Sequence, residues 1–188
     1  MDNAAKKKSG YRTNDLVYMA IGAVIIAICS WISIPATVPF SMQTFGVFFV
    51  LSLLGGKRGT LSILVYVLLG VVGVPVFAEF TSGLGILLNT TGGYIVGFLF
   101  MGLIYRWIIG HAGKKLWVEA AAMVAGLIVL YAFGTAWFMF VYTQANGAVS
   151  LAAVLSWCVI PFVIPDLIKL GLGLTLARRI SRALNWTA

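Results

Sequence analysis

The chain has 188 residues, of which 61% are hydrophobic and 10% are charged, and its net charge is +8 at pH 7. Soluble domains are typically about 45–50% apolar and about 25% charged, so this composition predicts an integral membrane protein. At about 20 residues per crossing, the length accommodates six or seven helices and excludes a soluble catalytic or nucleotide-binding domain. The basic residues lie between apolar segments, where they set membrane orientation, so we expect no nucleic-acid partner.

Six apolar segments follow a polar, basic N-terminal stretch at residues 1–14. Their approximate ranges are 15–34, 41–55, 59–74, 91–109, 118–143 and 149–177. They predict an all-α fold in which residues 1–188 form one transmembrane domain, with a six-helix bundle over 15–188. The second and third segments rise only about 22 Å as helices against a hydrocarbon core of about 30 Å, and such short helices leave room for a cavity. Segment 75–90 is rich in turn residues and predicts an ordered loop.

The placement of charge supports six spans. Every basic residue except Lys169 lies in the N-terminus, the second loop, the fourth loop or the C-terminus. The loops around 35–40, 75–90 and 143–149 contain none. By the positive-inside rule, both termini are expected in the cytoplasm of a multi-pass plasma-membrane protein, and these three loops face outward. Glu79, the only acidic residue in the outer loops, is interpreted as a solvated charge.

Small and polar residues mark the first two spans. Ala20, Ala23 and Ala27 lie at helical spacing in the first, and Ala23 with Ala27 forms a small-xxx-small pattern that lets another helix approach closely. That helix could belong to this chain or to another subunit. Gln43, near the start of the second span, fits interhelical packing and ligand contact equally well.

A polar stretch, Asn89-Thr90-Thr91-Gly92-Gly93-Tyr94, precedes the fourth span. Either threonine can cap the helix, while the glycines permit close approach of chain or ligand. Asn89 offers two hydrogen-bond donors and an acceptor. On spacing alone, a capped helix start is slightly favoured over a binding role.

Asp166 and Lys169 lie three positions apart in the last span. Translocon-based scales put each at about 2.5–3.5 kcal/mol unfavourable at the bilayer centre, so both are expected to face a polar cavity or each other. Their spacing places them on one helix face, and Pro161 and Pro165 free backbone carbonyls nearby. We favour a buried polar site over an ion pair that only locks packing. With no nucleophile–base pair, metal cluster or second intramembrane carboxylate expected, an enzyme is disfavoured.

Several of these motifs together resemble the BioY family. They are Gly73-Val74-Pro75-Val76-Phe77-Ala78, Gly83-Leu84-Gly85, Thr91-Gly92-Gly93-Tyr94, Gly97-Phe98 and Pro165-Asp166-Leu167-Ile168-Lys169, the last similar to the family's D-x-x-K element. Two stretches depart from the family pattern: Asn89-Thr90 replaces a common Gly-Pro, and Glu79-Phe80 stands where glycines are common.

The resemblance implies a biotin-binding S component of an energy-coupling-factor (ECF) transporter, with the vitamin near the outer surface under the first and third outer loops. It implies that Asp166 accepts from the ureido N–H groups, that Asn89 supports this head group and that Lys169 donates to the ureido oxygen or the carboxylate. Gln43 and Tyr94 are further candidates. The remaining candidates, for close backbone approach to the ligand, are Gly83, Gly85 and Gly93.

The resemblance also implies partners: a transmembrane coupling subunit, contacted through Ala20, Ala23 and Ala27, and two cytoplasmic ATPases. The chain lacks a phosphate loop, so we expect it not to hydrolyse ATP and to need no cofactor or metal. The alternatives are an S component or secondary carrier for another vitamin and, less favoured, a small membrane enzyme.

Overall fold

The computed structural model describes residues 12–36 and 38–183, which are predominantly helical. The helices are α1 (Thr13–Trp31), α2 (Gln43–Val71), α3 (Leu84–Leu88), α4 (Gly92–Ala112), α5 (Leu116–Asn146), α6 (Leu151–Cys158) and α7 (Ile160–Ala183). Strands β1 (Ser33–Ile34) and β2 (Phe40–Ser41) pair antiparallel between α1 and α2. A 3-10 turn, Ala78–Phe80, precedes α3.

Within these residues, five stretches are long and apolar enough to cross a membrane: α1, α2, α4, α5 and the nearly continuous pair α6 and α7. The second stretch contains two of the six predicted segments, because Gly55 (φ 79°, ψ 171°) interrupts α2. A positive φ of this kind is readily adopted by glycine alone. The chain then folds back, since a Cβ on Gly59 would lie only 2.9 Å from the Cα of Leu51. The prediction of two short helices is therefore confirmed.

Three details correct the sequence prediction. The connection at 75–90, predicted as a loop without a helix, contains the short helix α3 and the 3-10 turn, and the all-α fold carries one small β-hairpin. The last predicted segment consists of two helices that meet at Val159, whose φ of −125° departs from the helical value. Pro161 lies in the first turn of α7, where a missing N–H costs no helical hydrogen bond, and Pro165 lies within that helix.

Two ion pairs show that basic residues lie together at one end of the bundle. Arg58 pairs with Asp15 at the start of α1, with Nη2 2.7 Å from Oδ1. Arg178 pairs with Glu119 at the start of α5, with Nη2 2.5 Å from Oε2. The connections 32–42, 72–91 and 147–150 therefore lie at the opposite end, as the alternation of charged loops predicts.

Candidate functional site

A cavity of about 290 Å³ opens at the end of the bundle away from the basic residues. This volume is near the lower end of the range for small-molecule sites, about 300–1,000 Å³. Residues of α2 to α7 line it, together with the connections that follow α1 and α2. Residues 143–149, the third loop that was expected to cover a ligand, are not among the lining residues, whereas Cys158 and Phe162 are.

The buried wall of this cavity contains Asp166 and Lys169, which form an ion pair. Lys169 Nζ lies 3.0 Å from Asp166 Oδ1, and the two residues are 5% and 2% exposed. A buried pair of this kind is tolerated only where its remaining donors and acceptors are also satisfied. Both residues also line the cavity. The pair therefore faces the cavity as well as contributing to helix packing.

Asp166 is held by hydroxyl groups from two other helices. Thr44 of α2 donates to Oδ1 at 2.8 Å, and Tyr131 of α5 donates to Oδ2 at 2.7 Å. With the Lys169 contact, three of about four acceptor positions on the carboxylate are used. The site therefore ties α7 to α2 and α5 through one side chain.

Lys169 uses all three of its N–H donors within the protein. Besides Asp166, its Nζ donates to the backbone oxygen of Ser41 at 2.7 Å and to Thr44 Oγ1 at 3.3 Å. The same ammonium lies 4.4 Å from the ring centroid of Phe40, a cation–π distance. A ligand that accepts from Lys169 must therefore replace one of these contacts.

Three further predicted residues also line the cavity. Gln43 Nε2 donates to Tyr66 OH at 2.8 Å, while the OH of Tyr94 shares a hydrogen bond of 3.3 Å with Thr135. Asn89 Oδ1 accepts from the backbone N–H of Thr90 at 2.7 Å. The structure thus gathers Gln43, Asn89 and Tyr94 around the same space as the ion pair.

The three predicted glycines do not line the cavity. Gly83 has a φ of +95°, and a Cβ on Gly83 or Gly85 would meet nothing within 4 Å. Gly93 is buried against α5, where an added Cβ would lie 2.3 Å from the Cβ of Trp137. Gly83 therefore serves a left-handed turn, and Gly93 serves helix packing.

The small face of α1 is mostly internal. Ala23 and Ala27 are 1% and 5% exposed, whereas Ala20 is exposed. The adjacent Gly22 packs on α2, since a Cβ there would lie 2.4 Å from Ser62 Oγ. Ala23 and Ala27 are therefore not available to another subunit in this conformation, a correction to their assignment as contact residues.

A second buried carboxylate, which the sequence analysis did not expect, lies at the basic end. Glu119 is 0% exposed and accepts from Tyr105 OH at 2.7 Å, from Ser52 Oγ at 3.2 Å and from Arg178. Beside this network, burial lowers the pKa of Lys114, an effect that the charge of Glu119 opposes.

Glu119 is too far from the cavity to share chemistry with Asp166. Twelve residues of α5 separate Glu119 from Tyr131, which contacts Asp166, and this corresponds to about 18 Å of helix. The residues that the structure describes also contain no group of three or more His, Cys, Asp or Glu that could hold a metal.

The turn at the cavity mouth has an unusual backbone. Glu79 (φ 58°) and Phe80 (φ 56°) are both left-handed, although neither is glycine. This conformation costs about 1–2 kcal/mol per non-glycine residue. Glu79 lines the cavity, so it is not only a solvated loop charge as the sequence suggested.

Sequence reasoning also missed the partners of the ion pair. Thr44 and Ser41 precede Asp166 by more than 120 residues, and both are ordinary polar residues near a helix start. Tyr131 lies in a long apolar helix among other aromatic residues. The sequence signal that these residues share is a hydroxyl group. That the hydroxyl groups lie at the same depth as the two charges is evident only once the helices are aligned.

This chain is similar to known proteins over most of its length. A sequence model described as the BioY family matches residues 2–186. "Biotin transporter BioY" of Thermotoga maritima is 38% identical over 89% of this chain and 95% of its own length. "Biotin transporter BioY2" of Lactococcus lactis subsp. cremoris is 35% identical over 92% of each chain.

A solved structure is also similar to this fold. It is described as the S-component for biotin from an ECF-type ABC transporter, with a TM-score of 0.78 and 25% sequence identity over 92% of this chain and 95% of that chain. The family match covers nearly the whole sequence, and the relatives align along most of their length. The chain therefore belongs to the BioY family.

Proposed function

We propose that this protein is the biotin-binding S component of an ECF-type transporter that takes up biotin across the plasma membrane. The observation that carries the proposal is the cavity walled by the buried Asp166–Lys169 pair in a member of the BioY family. The chain binds the vitamin and does not act as an enzyme; a transmembrane coupling subunit and two cytoplasmic ATPases complete the transporter. Both termini lie in the cytoplasm, so the cavity opens outward.

The polar groups of the cavity suit the ring system of biotin. Its ureido group has two N–H donors and one carbonyl acceptor, and each needs a partner in a pocket that excludes water. Asp166 accepts from a ureido N–H through its remaining lone pair or in place of the Tyr131 hydroxyl. Lys169 donates to the ureido oxygen by exchanging its contact with Ser41 or Thr44. Gln43 and Asn89 supply further amide groups around the ring.

The donor and acceptor groups of the Asp166–Lys169 pair set the orientation of the ligand. The ureido ring has N–H donors for Asp166 and a carbonyl acceptor for Lys169, so it can satisfy both members of the pair. A carboxylate has only acceptors and offers Asp166 no donor. We therefore place the rings against the ion pair and the valerate chain toward the mouth.

Isothermal titration of the purified, ligand-stripped protein with biotin tests both the ligand and the site. Each hydrogen bond to a charged group is worth about 1.5–3 kcal/mol, so Asp166→Asn and Lys169→Met should each weaken binding about 10- to 100-fold. The matched control is Asp15→Asn, the same chemical change outside the cavity, which should bind like wild type. Absence of binding to the wild type would exclude biotin, and unchanged affinity in both cavity variants would exclude this site.

The partners are tested by uptake of labelled biotin into proteoliposomes. Accumulation should require the coupling subunit, both ATPases and ATP. Accumulation by this chain alone, driven by an ion gradient, would instead identify a secondary carrier.

A further inference from the structure

Glu79 lacks the cationic partner that the other carboxylates in the described part of the chain have. Asp15, Glu119 and Asp166 each pair with a cation, from Arg58, Arg178 and Lys169 respectively. Within residues 12–36 and 38–183, Glu79 forms neither an ion pair nor a side-chain hydrogen bond. The three outer connections contain no lysine or arginine that could neutralise it.

Glu79 is also the charge closest to solvent in the cavity lining. The described lining contains three charged residues, Glu79, Asp166 and Lys169, and the latter two form the buried pair. Because that pair is neutral as a unit, the net negative charge of the lining comes from Glu79. Glu79 is exposed while the pair is buried, which places this charge at the mouth.

Contacts with α1 and within the turn fix the position of Glu79. The ring of Phe80 stacks on Trp31, with centroids 5.1 Å apart and an interplanar angle of 21°. Trp31 also donates from Nε1 to the backbone oxygen of Pro75 at 2.8 Å. Within the turn, Thr81 donates from Oγ1 to the backbone oxygen of Ala78 at 2.8 Å. These contacts hold the left-handed turn, and with it the carboxylate, beside the cavity.

We infer that Glu79 is a specificity-determining residue that discriminates between ligands by the charge at the end of their side chain. This inference rests on the proposed function and on the orientation with the rings buried. The terminal group of the ligand then lies at the mouth, near the Glu79 carboxylate. Glu79 disfavours a free carboxylate and favours a neutral or cationic end group, so the preferred substrate class extends to biotin amides, including those that end in an amine.

Three probes with the same rings separate the contributions of charge and contact. They are biotin with its anionic tail, its neutral primary amide, and the cationic amide formed with ethylenediamine. Their affinities are measured by titration with the full-length protein in detergent, for wild type, Glu79→Gln and Glu79→Asp. The aspartate variant retains the charge and serves as the matched control.

We expect Glu79→Gln to strengthen binding of biotin and to weaken binding of the cationic amide, each by about 1.5- to 5-fold, the range for partly exposed charge pairs. The affinity of the neutral amide should not change, and Glu79→Asp should keep the wild-type order of the three probes. The differences should shrink at high salt, since the Debye length falls to about 3 Å at 1 M.

Two results would overturn the inference while leaving biotin binding intact. If Glu79→Gln weakened the binding of all three probes equally, Glu79 would contact the rings. If Glu79→Gln bound every probe with the wild-type affinity, Glu79 would not interact with the ligand. Binding of none of the probes to wild type would refute both this inference and the proposed function.

Discussion

The Glu119–Arg178 network should contribute more to stability than the other ion pair at the basic end of the bundle. Arg178→Met removes the cation and leaves Glu119, which is 0% exposed, with donors from Tyr105 and Ser52 only. Removing one partner of a buried pair typically costs about 3–5 kcal/mol. Because the Arg178 side chain is 27% exposed and two donors remain, we expect the lower end of that range, about 3 kcal/mol.

Thermal unfolding in detergent measures this effect. For a chain of this size 1 kcal/mol corresponds to about 2–4 °C, so Tm should fall by about 6–12 °C. The double variant Glu119→Gln/Arg178→Met should recover much of the loss, because a neutral amide can still accept from the tyrosine and serine hydroxyls. Arg58→Met, which breaks a more exposed ion pair, is the matched control and should cause a smaller shift.

The reasoning would be refuted if Arg178→Met left Tm unchanged, or if the double variant were less stable than the single one. The first result would mean that water or another cation satisfies Glu119, and the second that the carboxylate itself is not the source of the penalty. Biotin affinity should be close to wild type in the folded variants, since the cavity lies about 18 Å away along α5.

Tyr131→Phe removes the hydroxyl donor that orients the Asp166 carboxylate, and it should weaken biotin binding in a titration by less than the roughly 10-fold expected for losing a direct bond to the ligand. Unchanged or tighter binding would mean that the ligand replaces this hydroxyl. Gly93→Ala should lower Tm because its Cβ would overlap a tryptophan of α5, at a cost of about 1–3 kcal/mol, whereas Gly85→Ala should not; equal Tm values would contradict the packing described. Ala23→Trp should disrupt folding while Ala20→Trp yields a monodisperse protein on size-exclusion chromatography, and normal folding of the first variant would show that this face of α1 is free.

The sequence predicted the helical layout and the position of two charges inside the last apolar segment, because both depend on composition along the chain. Apolar segments separated by basic loops are visible without coordinates, and so are two charges within one apolar segment. The gap between the second and third predicted segments correctly marked the interruption at Gly55.

The partners of those charges depend instead on how the helices align. Thr44 contacts Asp166 across 122 residues of sequence, and no periodicity within one helix indicates that contact. Glu119 was missed because it lies near the start of its predicted segment, 118–143, where an acidic residue is ordinary. The alanine row of α1 indicates that some helix approaches closely, but the identity of that helix is a property of the folded bundle.

The two buried networks also fix how α5 and α7 can move relative to each other. Tyr131 and Glu119 are twelve residues apart on α5, and their partners Asp166 and Arg178 are twelve residues apart on α7. Sliding one helix along the other by a single turn, about 5.4 Å, would separate both pairs at once. The two networks therefore both fix the position of α7 along α5. A piston-like shift of α7 along α5 would therefore have to break both networks at the same time.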